Sequence, residues 1–505
     1  MSRLKVSTAR KSLFLLLAAA ALLLIGLPFV TANDESLFLD APGSVITHDT
    51  AVSQAKYVAI NWSVLEDSHT GQIRINLFDG EVLTAVHDQT YPSSVAGGFA
   101  WVGHLLHKKD STVTLSTVDD ILIGSIVIEG IEQYRIGYDG RRQVLQENEA
   151  GILTEIEGPD TVMPPAMAAQ TDDTADFCED GSRIDLLVAY TPAALNRVGD
   201  KAAIEALINQ RVADMNTANR NSGLGFSYRL VHVMQTNYPE TGDVKKDLDR
   251  LVNGTDGRMD DVLIARDQHL ADMTALLIAE STVNNSCGVA YVMNSPSSGF
   301  ADFALNVTAL DYVGSPTCSS LTLAHEFGHN MGNQHDREHT GNNPIYPYSF
   351  GYQSPSKTFR TIMAYQCSGA NCPRIIHWSN PDINFAGEPT GIDYAVDRSN
   401  AADNARSMKK TAPIVANFRQ NCTAPPTPSA TPVEEPAASP TPTATPSATH
   451  TPTNTATAVP SATNTPAAVE TTTPTLSPTA TRSEGTATPQ AVYRVALPLV
   501  IGQSR

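Results

Sequence analysis

Basic residues are scarce in this 505-residue chain, which has 34 lysines and arginines against 53 aspartates and glutamates and a formal net charge of -19 at pH 7. Nucleic acids and anionic membrane surfaces are bound by faces with clustered positive charge. Neither is therefore an expected partner. Long apolar runs are also missing after residue 32, so no stable membrane insertion is expected once the N-terminal segment has been removed.

The first 32 residues (1–32) have the pattern of a secretory signal peptide. A basic stretch precedes an apolar run at residues 13–27, and the small residues Val30, Thr31 and Ala32 offer a cleavage site. Because the apolar run approaches the length that spans a bilayer, an uncleaved membrane anchor is the alternative. Either interpretation predicts a protein that acts outside the cytoplasm, secreted or attached to the cell surface.

Residues 33–160 have the alternating pattern of β-strands and contain no catalytic constellation. Apolar and polar residues alternate around Ile73 and Ile75, and turn signals separate the runs. The stretch at 158–176, rich in Pro, Ala and acidic residues, is typical of an exposed linker. We expect a β-rich pro-domain at 33–160 that covers a cleft, and a linker at 161–177 in which activation cleavage occurs.

Residues 178–422 change to alternating strands and helices. Buried-strand patterns at 184–190, 274–279 and 289–293 are interspersed with a helix whose apolar residues share one face and which ends at Gly223. This order predicts an α/β domain with a largely parallel twisted sheet.

The last part of the chain is too polar to form a packed core. From 423 to 489 nearly every residue is Pro, Thr, Ser or Ala, which predicts a disordered, extended stalk. Residues 490–505 become apolar again over a stretch too short to cross a membrane. We expect either a sorting or attachment tag or a short strand that docks on a neighbour.

The segment from His325 to His335 carries the most specific motif. His325 and His329 are four residues apart, so on a helix both project from one face and can reach one zinc ion. Glu326 is placed to activate the attacking water and to carry its proton to the leaving amine. Gly332 can adopt the left-handed backbone that ends the helix, so that His335 supplies a third nitrogen. Three ligands leave a fourth position open, as in catalytic zinc sites.

The residues around this motif resemble the metzincin metalloproteases, in which a turn places a methionine beneath the metal. Met363 is the expected Met-turn residue; the alternative is ordinary core packing. Asp336, directly after the third histidine, is similar to the adamalysins or reprolysins, and so is the segment 288–292. Tyr365 is similar to the astacin and serralysin pattern, which implies a zinc ligand or an oxyanion donor. Its alternative is a packed aromatic residue.

From 178 to 421 the chain also resembles the secreted bacterial peptidyl-Asp metalloendopeptidases. The Ser-Asn-Pro-Asp segment at 379–382 and a final helix at 404–418 fit that family. The resemblance implies a metzincin-type catalytic domain with a zinc helix and a Met-turn. It also implies a preference for an acidic residue after the scissile bond.

All six cysteines lie between 178 and 422, and an even number in an exported chain indicates disulfides. Sequence leaves the connectivity open, and the pairs that we expect are Cys367–Cys372, Cys287–Cys318 and Cys178–Cys422. The alternative for Cys178 is a cysteine switch that caps the zinc in the latent form. That alternative leaves Cys422 unpaired in an oxidising compartment.

Arg374 stands just beyond the expected loop closed by Cys367 and Cys372. In metzincins the chain after the Met-turn wraps the pocket for the residue that follows the cleaved bond. A guanidinium there can hold an aspartate or glutamate side chain by two hydrogen bonds. The alternative is that Arg374 lies on the surface or pairs with Asp382.

Together these features predict a secreted zinc metalloendopeptidase made as a zymogen, with one Zn2+ per catalytic domain and protein or peptide substrates. The alternative is a catalytically silent protein that binds partners in its groove and is displayed on the stalk. Pseudoenzymes of that kind usually lose the glutamate or a ligand, and this sequence keeps Glu326 and all three histidines. Calcium (Ca2+) binding and the oligomeric state are left open.

Overall fold

The computed structural model describes the chain between residues 36 and 420, with gaps. The described residues are 36–45, 52–66, 71–95, 97–148, 158, 160–165, 177–283, 286–310, 318–340 and 343–420. All of them belong to the first of two compact units, Met1–Ser429. The predicted signal peptide, stalk and C-terminal tag lie outside the described residues, as does Cys422. Within these ranges, no helix is long and apolar enough to cross a membrane.

Nine antiparallel strands form one sheet in the predicted β-rich region. They are β1 (Phe38–Ser44), β2 (Val52–Ile60), β3 (Gln72–Asn76), β4 (Val82–Pro92), β5 (Phe99–Leu105), β6 (Ser111–Val118), β7 (Ile121–Ile128), β8 (Ile131–Tyr138) and β9 (Gln143–Asn148). Their order is β1-β2-β9-β8-β7-β6-β5-β4-β3. A short helix, α1 (Trp62–Glu66), follows β2.

This sheet curls until the chain at its first strand reaches its last. Leu37 N–H donates to Arg74 C=O at 2.8 Å, and the Asn76 side chain bonds both the N–H and the C=O of Phe38. These bonds satisfy edge groups that an open sheet leaves unpaired. The enclosed side holds an apolar core in which Trp101 is fully buried.

A second, six-stranded sheet is mostly parallel. Its strands are β10 (Thr161–Val162), β11 (Arg183–Tyr190), β12 (Ser227–Gln235), β13 (Met273–Ile278), β14 (Gly288–Tyr291) and β15 (Leu305–Ala309), in the order β10-β14-β15-β13-β11-β12. β14 runs antiparallel to β15, and the other neighbours are parallel. β11 and β13 are buried almost throughout, as parallel strands covered on both faces are. A small hairpin follows, β16 (Asn384–Phe385) with β17 (Glu388–Pro389).

Helices cover this second sheet. They are α2 (Pro192–Val198), α3 (Lys201–Asn221), α4 (Val244–Leu251), α5 (Asp260–Gln268), α6 (Thr322–Asn330) and α7 (Asn404–Val415), with a 3-10 helix at Ser298–Phe303. The 21-residue helix α3 begins at Asp200, whose carboxylate accepts from the Ala202 N–H. It contacts β12 of the second sheet and β5, β6 and β7 of the first. One helix therefore lies between the two sheets.

The stretch predicted to be an exposed linker begins inside the second sheet. β10 pairs with β14, and Ala290 and Val292 donate their N–H groups to the carbonyls of Asp160 and Val162 at 2.8 and 3.0 Å. The prediction of an exposed linker is therefore wrong for Asp160, which is 6% exposed. Without β10, β14 would be the edge strand of this sheet, and its backbone groups would accept an added strand whatever the composition of that strand.

Candidate metal centre

Helix α6 is fixed against the second sheet by Asn330 in its last turn. Asn330 Nδ2 donates to the carbonyl oxygens of Tyr291 and Leu305 at 2.9 and 3.1 Å. Gly332 follows with φ +91°, and a Cβ there would lie 2.9 Å from Ile345 Cγ2. The left-handed turn therefore needs glycine. It reverses the chain, which returns to place a third histidine beside the two on the helix.

The three histidines share one hydrogen-bonding pattern. The Nδ1 atoms lie 2.9, 2.9 and 3.2 Å from backbone carbonyl oxygens: Ile362 for His325, Asn333 for His329, and His339 for His335. A carbonyl only accepts, so each Nδ1 carries the proton and the Nε2 lone pair of a neutral ring is left for a metal. His329 Nε2 and His335 Nε2 are 3.0 Å apart. Two lone pairs at that distance repel unless a cation lies between them.

Asp160, directly before β10, completes the cluster. Its Oδ2 lies 3.2 Å from His325 Nε2, and its Oδ1 lies 3.0 Å from His335 Nε2 and 3.8 Å from His329 Nε2. The four ligand atoms lie within 4.8 Å of one another, and all four residues are buried. Three nitrogens and one carboxylate oxygen suit the tetrahedral coordination of Zn2+. The residues present therefore fit the metal.

Burial favours the neutral form of two of these rings. It lowers the pKa of His325, and it lowers the pKa of His329 further, with the charge of His335 acting in the same direction. Burial also acts to lower the pKa of His335, but the carboxylate of Asp160 outweighs it and the pKa is raised. Neutral imidazole is the form that ligates zinc.

The Glu326 carboxylate lies against strand β14. A Cβ on Gly288 would lie 2.3 Å from Glu326 Oε1, so the strand needs glycine at this position. Glu326 is 1% exposed, and its Oε2 has no hydrogen-bond partner among the described residues. Burial, and then the charge of Asp160, raises the pKa of Glu326 well above its usual range, against the opposing effect of Arg374. These are the properties of a candidate general base.

Asp336 joins the loop of the third histidine to the predicted Met-turn. Its Oδ2 accepts from the Tyr365 N–H at 2.9 Å. Met363 is fully buried and packs on α6, where a Cβ on Gly328 would lie 2.4 Å from the methionine sulfur. Asp336 and Met363 therefore hold the Tyr365 backbone and helix α6 in place around the histidine cluster.

Tyr365 faces the cluster itself. Its ring centroid lies 4.2 Å from that of His335, and its hydroxyl lies 2.9 Å from Asp160 Oδ2 and 2.7 Å from the Gly158 carbonyl oxygen. The hydroxyl thus contacts the segment that precedes β10. Tyr365 is half-buried, and its role as an oxyanion donor stays a prediction.

Beside Glu326 the cleft opens into a polar pocket. Arg374 lines it together with hydroxyl side chains at Ser286, Ser319 and Thr322. The guanidinium is near enough to act on the pKa of Glu326. The pocket therefore combines one cation with hydrogen-bond donors.

Two disulfides lie near this pocket, and each joins a pair of cysteines that the sequence analysis predicted. Cys287–Cys318 joins the start of β14 to the segment before α6, and Cys367–Cys372 closes a small loop before Arg374. Cys178 is also disulfide-bonded, so it is not a cysteine switch. Its expected partner, Cys422, lies outside the described residues.

Comparisons with known proteins place the chain in a family. A profile of metallopeptidase family M12 matches residues 180–379. A peptidyl-Asp metalloendopeptidase of Stenotrophomonas maltophilia is 30% identical over 344 residues, which cover 64% of this chain and 78% of that protein. The chain belongs to metallopeptidase family M12. A peptidyl-Asp metalloendopeptidase of Xanthomonas campestris is likewise 30% identical over 359 residues, covering 68% of this metallopeptidase and 80% of that relative.

Among solved structures, metalloproteinase-II of Bacteroides fragilis superposes with a TM-score of 0.33 at 11% identity, covering 54% of this metallopeptidase and 84% of that chain. The family assignment confirms the predicted zinc metalloendopeptidase, whose substrates are proteins or peptides. Asp160 is the site residue that the sequence did not indicate. Its position beside a predicted cleavage linker was the one available signal.

Proposed function

We propose that this metallopeptidase is secreted as a zymogen, cleaves peptide bonds on the amino side of Asp or Glu, and is held latent by Asp160. The observation that carries the proposal is the Asp160 carboxylate, whose two oxygens lie 3.2 and 3.0 Å from the Nε2 atoms of His325 and His335. A catalytic zinc site needs an open fourth position. With zinc held by the three histidines, the Asp160 carboxylate would be the fourth donor, and it would exclude both water and substrate.

The same chain then blocks the rest of the cleft. β10 pairs with the outer side of β14. A substrate in an extended conformation would bind to the same side of β14 as an added strand. The Gly158 carbonyl occupies the Tyr365 hydroxyl. Latency therefore rests on three contacts of one short segment, at the metal cluster, at the strand edge and at the oxyanion donor.

Catalysis follows once this segment has left. His325, His329 and His335 would hold the zinc ion, which would supply a Lewis acid to polarise the scissile carbonyl and to lower the pKa of a water molecule. The Glu326 carboxylate takes a proton from the attacking water and delivers it to the leaving amine. The Tyr365 hydroxyl donates to the oxygen that becomes negative in the tetrahedral transition state. β14 aligns the substrate backbone.

The pocket beside Glu326 supports the acidic preference. A carboxylate side chain entering it meets the Arg374 guanidinium and the Ser319 hydroxyl, both hydrogen-bond donors. The relatives' name, peptidyl-Asp metalloendopeptidase, agrees with such a pocket. Secretion is supported by the signal-like N-terminus and by the disulfides.

The experiment compares zinc content and peptidase activity of the full chain, uncut, as wild type, Asp160→Ala and Met163→Ala. Met163 is 45% exposed in the same segment, so its truncation is the matched control. Asp160→Ala is expected to raise activity on an internally quenched peptide by about tenfold or more, because tenfold needs only about 1.4 kcal/mol. Met163→Ala should leave it low. An Asp160→Ala chain as silent as the wild type, from a preparation that becomes active when the linker is cut and the N-terminal fragment is removed, would refute this account of latency.

A further inference from the structure

Helix α3 is buried on two sides, although its sequence has only one apolar face. Of its 21 residues, 17 are buried. Ile204, Leu207 and Ile208 belong to the core shared with the second sheet. The opposite face is polar, with Gln210, Asp214 and Thr217 recurring at helical spacing, and a helix facing a single core would leave it in water.

The first sheet covers this polar face through matched hydrogen bonds. The pairs across the contact are Thr114 Oγ1 to Asp214 Oδ1 (2.8 Å), Gln210 Nε2 to Ser125 Oγ (3.0 Å), Asn209 Nδ2 to Ser93 Oγ (2.5 Å) and Arg220 Nη1 to Tyr91 Oη (3.1 Å). The residues in the first two pairs are each at most 4% exposed. The contact is therefore closely fitted and polar at once.

Charged groups extend the contact. Burial acts to raise the pKa of Glu132 on β8, but Arg135 and then Arg211 on α3 outweigh it and the pKa is lowered. A small apolar zone lies beside these groups, where Val118 and Ile123 join the core of the second sheet. A surface of this mixture resembles a separable interface more than a domain core, because its polar groups can return to water.

The face of the first sheet that covers α3 is distinct from the Asp160 segment, yet both lie on the N-terminal side of the predicted cleavage linker. A cut between 166 and 176 leaves Gly158, Asp160 and β10 attached to the nine-stranded sheet by the chain after β9. The fragment would then hold the enzyme by two linked surfaces, and each keeps the other at high effective concentration. Cutting the linker removes neither surface.

We propose that the polar face of α3 is a docking surface for the cleaved N-terminal fragment, residues up to about 165, which stays bound and continues to inhibit after the linker is cut. The inference rests on the proposed zymogen function and adds that activation has two stages. Cleavage comes first, and activity appears only when the fragment dissociates or is degraded. Once bare, the face is polar and suited to water.

The test uses the full chain with the recognition sequence of a highly specific protease placed within 166–176. After cutting, gel filtration at micromolar concentration reports whether the fragments co-elute, and the quenched peptide reports activity. The wild type should co-elute and stay silent, becoming active on dilution. Asp160→Ala should co-elute and be active. Thr114→Ala, which removes the hydroxyl bonded to Asp214, should become active at about tenfold higher concentration than the wild type.

Thr84→Ala is the matched control, because Thr84 lies in β4 of the same sheet, outside the four hydrogen-bonded pairs with α3 named above, and the chemical change is the same. Thr114→Arg is a stronger perturbation and should separate the fragments, while Thr114→Ala covers the case in which the arginine variant does not fold. Immediate separation of the cut wild type would show that the fragment does not stay bound. Co-elution with full activity would show that the bound fragment does not inhibit. Either result overturns the inference. Neither result touches the latency of the uncut chain, which the Asp160→Ala comparison tests separately.

Discussion

Replacing Asp214 by asparagine should change how the stability of the uncut chain depends on pH. Asp214 lies between α3 and β6, 3% exposed, and accepts from the Thr114 hydroxyl. Burial raises its pKa from 3.8 to about 7, against the lowering effects of Arg211 and Thr114, and Glu132 on β8 adds to the rise. Asparagine keeps the shape and the acceptor, and it removes the titration.

The sign follows from linkage. A carboxyl whose pKa is raised by folding contributes stability below its unfolded pKa and loses that contribution as the pH rises through its folded pKa. With values of 3.8 unfolded and about 7 folded, ionisation costs about 2 kcal/mol at pH 5 and about 4 kcal/mol at pH 8. The free energy of unfolding of Asp214→Asn, minus that of the wild type, should therefore rise by about 2 to 3 kcal/mol between these pH values.

Urea denaturation followed by tryptophan fluorescence measures this difference, at pH 5 and at pH 8. Asp249→Asn is the matched control, because Asp249 is an exposed aspartate on α4 and its change should show no such trend. Charge elsewhere in the protein cancels in the comparison of variant with wild type. A difference that is the same at both pH values, to within about 0.5 kcal/mol, would show that Asp214 is not desolvated by the first sheet.

Three further predictions concern the trimmed enzyme. Glu326→Ala should keep about one zinc per chain while kcat falls by about 10²- to 10⁴-fold, whereas His329→Ala should lose the zinc itself; metal analysis beside kinetics separates them. Arg374→Ala should weaken cleavage before Asp relative to a matched Leu peptide by roughly 1 to 3 kcal/mol, and an unchanged ratio would remove Arg374 from the pocket. Arg360 is 2% exposed and donates to the carbonyls of Cys372 and Ala364 at 3.2 and 2.6 Å, so Arg360→Met should reduce the Asp preference at unchanged zinc content, with partial recovery in Arg360→Lys.

Local spacing accounts for the part of the site that the sequence predicted. His325, Glu326 and His329 lie within one turn of a helix, and Gly332 is the residue that ends such a turn. The helix geometry converts these separations directly into a shared face. The alternating patterns of the β-rich region and of the parallel strands were equally local, because they repeat within each strand.

Helix α3 shows a structural feature that the local sequence pattern cannot predict. Its apolar residues, among them Ile204 and Leu207, recur at helical spacing and predict one apolar face. That face does pack on the second sheet. The opposite face looked like a solvated one, and nothing in a run containing Gln210 and Asp214 indicates that another sheet covers it. Coverage depends on pairs such as Thr114 with Asp214, 100 residues apart, and such pairs have no periodic signature.

The sequence does not indicate the role of Asp160, for a further reason. It is 165 residues from His325, it directly precedes a two-residue strand that is too short to have a period, and its carboxylate is one of 53 acidic side chains. Chemistry narrows the choice, since a latent three-histidine zinc site needs a fourth donor and the disulfide at Cys178 excludes the thiol. A carboxylate in or near the linker was then the remaining class, with Glu155, Glu157, Asp160, Asp172, Asp173 and Asp176 as members. Only the pairing of β10 with β14 selects among them, because that pairing sets which side chain reaches the metal.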